Sequence, residues 1–175
     1  MLIPINELPP EGARFCLDDQ SLWMLPIADF GMACTISKPL AASVTVIPSE
    51  EGCLVRGRLT GAVVVPCNRC AEDTPVSLAA DFEEFESLPP AAGQGGGGDS
   101  GEESRIVMRD DLPVLDLGAI CWEEFLLALP FAPLCRVDCK GVCPTCGANL
   151  NNGGCACSPA EPDPRLAALR NLKIR

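Results

Sequence analysis

Residues 135–157 read CRVDCKGVCPTCGANLNNGGCAC, and six of these twenty-three positions are cysteine. The whole chain has twelve cysteines and no histidine, so half of its thiols lie in this one segment. Their spacing is C-x3-C-x3-C-x2-C-x8-C-x-C. Such crowding is typical of a disulfide framework, a metal site or a redox centre, and the surrounding sequence discriminates among them.

The strongest element of the segment is the turn Cys143-Pro-Thr-Cys146-Gly147. In a metal knuckle of this kind, backbone N–H groups point back at the first sulfur, and the glycine adopts a conformation that other residues avoid. Four thiolates hold one structural zinc ion in a closed tetrahedral site. The residues competing for the other two positions are Cys135, Cys139, Cys155 and Cys157. The reversal at 148–154 can bring the last two back toward the knuckle.

Zinc is favoured over disulfides for a physical reason and for a cellular one. Residues 130–163 hold few large apolar side chains, so burial alone cannot offset the entropy of ordering them. Zinc–thiolate bonding supplies on the order of 10 kcal/mol in small finger peptides. The N-terminus lacks a secretory signal, so the chain is expected in a reducing cytoplasm, where structural disulfides are rare. The run also differs from the ferredoxin spacings of iron–sulfur proteins.

A second pair, Cys67-Asn-Arg-Cys70, follows the strand-like run AVVVP. It could be a second half-site, a redox pair or an accidental pairing. Metal is favoured over redox because no convincing helix follows the pair, as a thioredoxin-like site would require. Eight clustered thiols then predict one or two zinc ions, and their division is left open. The remaining cysteines are predicted to be small buried residues: Cys16, Cys34, Cys53 and Cys121.

Charge is spread unevenly along the 175 residues, whose formal sum is −11. Residues 72–124 carry two basic and fourteen acidic side chains, whereas 125–175 carry six and three. An acidic protein is not expected to bind nucleic acid by bulk phosphate neutralisation. The cysteine-rich end is the only basic part of the chain, which makes it the expected point of any local contact with RNA.

Neither catalysis nor membrane insertion finds support in the sequence. No motif pairs a nucleophile with a base, and the Gly-rich stretch at 87–104 lacks the GxxxxGK[ST] pattern of a phosphate loop. The longest apolar run, around Trp122, is too short to span a bilayer and contains Glu123 and Glu124, which are expected on a solvated helix face. We therefore predict a protein that is not an enzyme, with no small-molecule substrate and no membrane contact.

The predicted fold is α+β: an antiparallel, half-open, barrel-like β layer with one packed amphipathic helix and a zinc-stabilised C-terminal module. Residues 1–86 form the β-rich core, in which SLWMLPI, AASVTVIP, CLVRGRLTGAVVVP and PVSLAADFEEF are taken as strands. Gly57 and Gly61 are predicted bulge positions. Trp23 and Trp122 are predicted to lie in the core.

Three further segments complete the organisation. Residues 87–104 form a Gly/Pro-rich acidic linker, and 105–130 supply a strand and a helix N-capped by Asp116. Residues 131–175 form the zinc module. Asp163 and Pro164 begin its closing helix, whose basic face carries Arg165, Arg170, Lys173 and Arg175. A merely solvated face is the alternative reading of those charges.

The combination of motifs resembles the large ribosomal RNA subunit accumulation family, or YceD family. The motifs are G-x-V-x-x-x-C-x-R-C at 61–70, the helix ending in Leu-Pro at 130, CKGVCPTCGANLN at 139–151 and DPRLAAL at 163–169. The resemblance implies a role in 23S ribosomal RNA accumulation and large-subunit assembly in bacteria and plastids. It also implies a self-contained tail zinc, with Cys67 and Cys70 serving something separable.

Two modes of action follow from that resemblance and the charge pattern. The protein could contact rRNA or a pre-50S particle locally, through Arg69, Lys140 and the four basic residues of the closing helix. It could instead hold a basic ribosomal protein on its acidic 72–124 block, and a mixed role is favoured. The alternatives from other classes are a thiol-redox or metal-handling protein using Cys67 and Cys70, and a zinc-binding adaptor for a protein partner.

Overall fold

A computed structural model describes residues 1–89, 104–110 and 112–157. Within these ranges the protein is α+β, with two antiparallel sheets and two helices. The strands are β1 (Leu2–Pro4), β2 (Ala13–Leu17), β3 (Thr35–Pro48), β4 (Gly52–Pro66), β5 (Asp73–Ser87), β6 (Ile106–Arg109) and β7 (Leu112–Asp116). The helices are α1 (Ser21–Asp29) and α2 (Leu117–Ala128), and Ile5–Glu7 form one 3-10 turn.

The larger sheet has the strand order β2-β3-β4-β5, and buried and exposed side chains alternate along its long strands. In β4, Val55 and Leu59 are fully buried, whereas Arg56 and Arg58 are exposed. Strand side chains alternate between faces, so this pattern gives the sheet one face toward the core and one toward solvent. The run CLVRGRLTGAVVVP, whose sequence is compatible with one long strand or a tight pair, is therefore one long strand.

The smaller sheet, ordered β1-β7-β6, carries α2 at the end of β7. The Asp116 side chain accepts a hydrogen bond from the Ala119 N–H at 3.1 Å, which confirms the predicted N-cap. Ile120 and Phe125 of α2 are fully buried, as is Trp23 of α1. The two helices and the inner faces of both sheets thus share a single hydrophobic core.

The predicted bulge positions in β4, Gly57 and Gly61, are not bulges. Strands β4 and β5 pair without a register shift from Gly52↔Ser87 to Pro66↔Asp73. A Cβ on Gly57 would lie 2.2 Å from the ring of its cross-strand partner Phe82, so the glycine makes room for that ring. The irregularity lies in β3, opposite Gly61, where Pro39 has no N–H to donate to the ladder.

The segment SLWMLPI forms α1, so the prediction of a strand there, and of a single packed helix, was wrong. A strand would bury Leu25 on the same face as Trp23 and Ile27. In the helix Leu25 is 63% exposed while the other two are buried. The Asp19 side chain accepts a hydrogen bond from the Ser21 N–H at 3.0 Å just before the helix begins. A seven-residue apolar run does not separate helix from strand by periodicity alone.

Glu124 is also corrected, because only 8% of its surface is exposed. It lies on the inner side of α2, toward Glu84 of β5. Burial in the first place, and then the hydrogen bond with Glu84, raise the pKa of Glu124 to about 7. Glu124 therefore packs against Glu84 and does not lie on a solvated helix face.

The isolated cysteines and tryptophans follow their predictions of burial in part. Cys53 and Cys121 are fully buried and Cys34 is half-buried, but Cys16 is exposed because β2 alternation turns it outward. Trp23 is fully buried. Trp122 is only half-buried and packs against the edge of the core, where it stacks on Phe125 and on the exposed Phe30, with ring centroids at 5.3 and 6.0 Å.

Two predicted segments lie wholly or largely outside the described residues. They are the linker at 87–104, of which only 87–89 and 104 are described, and the closing basic helix from Asp163 onward. Among the described helices, none has the length and apolar character needed to cross a bilayer.

Candidate metal centre

Eight of the twelve cysteines gather in two groups of four. The first, here the sheet cluster, is formed by Cys67, Cys70, Cys135 and Cys139. The second, the tail cluster, is formed by Cys143, Cys146, Cys155 and Cys157. Within each group all sulfur atoms lie within 4.8 Å of one another. Each group could therefore hold a metal ion, and the division of the eight thiols, open from the sequence, is four and four.

The sheet cluster is built on the turn that connects β4 to β5. The Arg69 N–H points at Cys67 Sγ from 3.5 Å, as in a metal knuckle. Cys67 Sγ lies 3.8 Å from Cys139 Sγ, and Cys70 Sγ lies 3.6 Å from Cys135 Sγ. A turn between two long strands is a rigid base, so two of the four donors are fixed by the sheet itself.

The other two donors arrive on the segment after α2, which wraps around this turn. The Asn68 N–H donates to the Pro133 carbonyl at 2.7 Å, and Arg69 Nη1 donates to the Cys139 carbonyl at 2.8 Å. Among the described residues, the small core around the thiols includes one apolar side chain without sulfur, Leu134. Burial therefore contributes little here, and bonds to a metal would supply most of what holds the segment down.

The tail cluster uses the predicted knuckle. The Gly147 N–H donates to the Cys143 carbonyl at 2.9 Å, and the Cys143 N–H donates to the Ala148 carbonyl at 2.8 Å. Gly147 has φ +73°, and Ala71, one residue after Cys70, has φ +59°. The two CxxC turns thus share one backbone conformation, although only the tail turn has the glycine that this conformation favours.

Polar side chains link the two clusters, and the sequence reading missed them. Asn151 Nδ2 donates to Cys139 Sγ at 3.3 Å, while its Oδ1 accepts from the Lys140 N–H at 2.8 Å. Asn149 Nδ2 donates to Glu72 Oε1 at 2.6 Å, across to the start of β5. The segment NLNN was taken only as a reversal. Its run of asparagines was the available signal, because their amides can serve neighbouring thiolates and carboxylates.

Hydrogen bonds make one thiol of each cluster unusually acidic. The Cys135 backbone N–H, followed by those of Arg69 and Cys70, lowers the pKa of Cys67 to about 6, although burial opposes the shift. The N–H groups of Cys146 and Thr145 lower the pKa of Cys143 to about 6 in the same way.

The pKa values of Cys135 and Cys157 move the opposite way. Burial raises the pKa of Cys135 to about 12. Hydrogen bonding with Cys146, followed by burial, raises the pKa of Cys157 to about 11. At neutral pH each metal-free cluster holds thiolate and thiol together, so binding a divalent ion would release the remaining protons.

The donor set fits zinc. Four sulfur ligands from two CxxC turns and their partners match a structural site, which has no open position for a substrate or water. The arrangement can therefore hold one part of the chain against another. A lowered thiol pKa is also typical of redox cysteines, but here the residues after Cys70 enter strand β5 rather than a helix.

Two of the six predicted contact residues lie within the described ranges. Arg69 and Lys140 are both exposed on the sheet cluster, Arg69 through the turn and Lys140 directly after Cys139. The other four, Arg165, Arg170, Lys173 and Arg175, lie outside the described residues.

Comparison with known proteins yields relatives from plants and mycobacteria. The chain is 26% identical over 156 residues to the Arabidopsis thaliana protein named large ribosomal RNA subunit accumulation protein YCED homolog 1, chloroplastic. That match covers 77% of this chain and 49% of the relative. The Zea mays protein of the same name is 24% identical over 144 residues, which cover 69% of this chain and 49% of the relative.

A bacterial relative is closer in sequence. An uncharacterized protein of Mycobacterium tuberculosis (strain ATCC 25618 / H37Rv) is 32% identical over 124 residues, which cover 69% of this chain and 55% of the relative. The chain thus spans about half the length of these curated relatives. No solved structure matches the chain.

A family model described as "Large ribosomal RNA subunit accumulation protein YceD" matches residues 55–173. The matched stretch begins in β4, before the first CxxC turn, and includes all eight clustered cysteines. It covers well over half of the 175 residues. The chain therefore belongs to the YceD family of large ribosomal RNA subunit accumulation proteins.

Proposed function

We propose that each cluster binds one structural zinc ion and that the two ions fasten the C-terminal segment to the β4–β5 turn. The four-sulfur donor sets, the thiol buried in each knuckle and the scarcity of described apolar side chains around the sheet cluster support this. Zinc supplies structural bonding here. The chain's own residues fix the geometry, because Asn151 and the turn N–H groups orient individual sulfurs.

The proposed role is that of a non-catalytic factor for 23S ribosomal RNA accumulation and large-subunit assembly, acting in the cytoplasm of a bacterial cell. The family description and the names of the plant relatives support a link to large-subunit rRNA. Two closed sulfur sites would contribute structure rather than chemistry, which is consistent with a binding factor.

Direct local contact with rRNA is favoured over capture of a basic ribosomal protein. Much of the acidic 72–124 block is already engaged within the protein. Asp81 and Glu83 pair with arginines of β4, at 2.7 and 2.6 Å, and Glu123 pairs with Arg105. Glu124 is buried. These carboxylates offer less free negative charge to a basic partner than the sequence count implies.

The test is depletion of the protein in cells, with crosslinking of the tagged full chain. We expect mature 23S rRNA to fall relative to 16S rRNA, and the chain to sediment with pre-50S particles and crosslink to their RNA. An unchanged 23S to 16S ratio would refute the proposed role. Recovery of protein partners alone, without rRNA or ribosomal proteins, would favour the adaptor alternative.

A further inference from the structure

The segment that wraps around the sheet cluster carries large apolar side chains that are highly exposed. Phe131 is fully exposed, and Val137 is 93% exposed. They are the most exposed large hydrophobic residues among those described. A single exposed apolar residue is ordinary on a protein surface, so their neighbours decide what they mean.

Those neighbours are basic. Arg136, Lys140 and Arg69 are all exposed within the same small unit. The unit is held together by the Asn68–Pro133 and Arg69–Cys139 hydrogen bonds already described. Two exposed acids belong to the unit: Asp138, 3.9 Å from Arg136, and Glu72 of the turn, whose Oε1 accepts a hydrogen bond from Asn149 Nδ2 at 2.6 Å. Two other exposed arginines, Arg56 and Arg58 of β4, are each paired with a carboxylate of β5.

We propose that this unit, here the Phe131 platform, binds unpaired RNA, with the Phe131 ring stacking on a base and Arg69, Arg136 and Lys140 contacting phosphates. Single-stranded nucleic acid is recognised by this pairing of an aromatic ring with nearby cations, whereas a duplex conceals the faces of its bases. An exposed apolar protein partner would match Phe131 and Val137 but not the three cations of the same unit.

The inference rests on the proposed function and makes it more specific. It names unpaired RNA as the ligand and the sheet cluster as the element that presents it. The two halves of the platform, the β4–β5 turn and the segment after α2, meet at that cluster. The zinc ion would thus act as a support for the platform and would not touch the RNA.

The experiment uses the zinc-loaded full chain and fluorescence anisotropy with a labelled unstructured RNA 12-mer, a hairpin of the same composition and an unlabelled competitor. We expect the 12-mer to bind more tightly than the hairpin. Phe131→Ala should weaken 12-mer binding by about tenfold, as loss of one stacked base does, and Phe131→Trp should restore it. Arg136→Gln should lower the salt slope by about 0.7, the value for one phosphate on a single strand.

Matched controls come from the same chain. Phe85 is a half-exposed phenylalanine at the opposite end of β5, and Arg14 is an exposed arginine on β2. Phe85→Ala and Arg14→Gln should leave both affinity and salt slope unchanged. Equal zinc content in all variants shows that a loss of binding is not a loss of fold.

Several outcomes would overturn the platform. Equal affinity of wild type and Phe131→Ala would do so, as would preference for the hairpin. So would a Phe131→Ala variant that binds RNA normally but no longer co-purifies a ribosomal protein. In a depleted strain, full rescue of 23S rRNA by Phe131→Ala would refute the platform and leave the proposed function intact. Failure of depletion to lower 23S rRNA would refute the proposed function itself.

Discussion

Replacing Asn151 by alanine should weaken zinc binding at the sheet cluster while leaving the tail cluster intact. Asn151 lies in the tail reversal, yet its amide donates to Cys139 Sγ at 3.3 Å. Hydrogen bonds to charged groups contribute roughly 1.5–3 kcal/mol, and sulfur is a weak acceptor, so the low end applies. A loss of about 1.4 kcal/mol is a tenfold loss of affinity. The Lys140 N–H also loses its acceptor, but it is exposed and water can replace that bond.

The measurement is a competition titration of the zinc-loaded chain against a chromophoric chelator at neutral pH, with cobalt absorbance as a second readout of each site. Asn152→Ala is the matched control, because the neighbouring amide reaches only Glu72, at 3.5 Å, on an exposed surface. Asn151→Asp should be more damaging than Asn151→Ala. It places a negative charge beside a thiolate and removes the donor.

The proposed role of Asn151 is refuted if Asn151→Ala and Asn151→Asp both release zinc like the wild type, or if Asn151→Ala weakens the tail cluster instead. The first result would mean that the hydrogen bond from Asn151 does not stabilise the Cys139 thiolate. The second would mean that the asparagine acts only through the local reversal. Either outcome would remove the link between the clusters that the geometry indicates.

Three further perturbations follow. Ala71→Gly should stabilise the zinc-loaded chain by about 1 kcal/mol in urea unfolding, because glycine removes the strain of a left-handed backbone. Gly147→Ala should destabilise the chain by a similar amount. A destabilising Ala71→Gly or a stabilising Gly147→Ala would contradict the shared turn conformation. The pKa of Glu124 is raised to about 7 from 4.5. The stability that its protonated form contributes is therefore complete below pH 4.5 and is lost as the pH rises through 7. Glu124→Gln should flatten that part of the profile of unfolding free energy against pH relative to wild type. Cys146→Ala should open new protease sites beyond residue 142 while the sheets keep their circular dichroism, with Cys16→Ala as the exposed-thiol control; an unchanged cleavage pattern would contradict a metal-supported tail.

The sequence predicted those parts of the fold that depend on local pattern. The strand β5 alternates residue by residue, Asp116 stands directly before an apolar helical run, and CPTCG is a specific turn. Each of these needs only its own neighbours to be recognised. The prediction for SLWMLPI was wrong because the short run fits the period of a helix and of a strand equally well. Contact with α2 decides which of its side chains are buried.

The grouping of the thiols could not be predicted from spacing. Cys67 and Cys135 are far apart in sequence and meet only because the β4–β5 turn and the end of α2 lie at the same edge of the core. Glu124 likewise looks like a solvated residue until β5 brings Glu84 against it. Contacts of this kind depend on tertiary structure, and one sequence carries no record of them.

The most direct test is native mass spectrometry of the full chain, purified under reducing conditions without added metal, combined with alkylation of accessible thiols. Two zinc ions per chain are predicted, with the eight clustered thiols protected until a chelator is added. Cys139→Ser should then retain one ion, and Cys146→Ala one ion, each at the other cluster. A chain that carries a single zinc ion, with Cys67 and Cys70 free to form a disulfide, would contradict the two-cluster arrangement and favour the redox alternative.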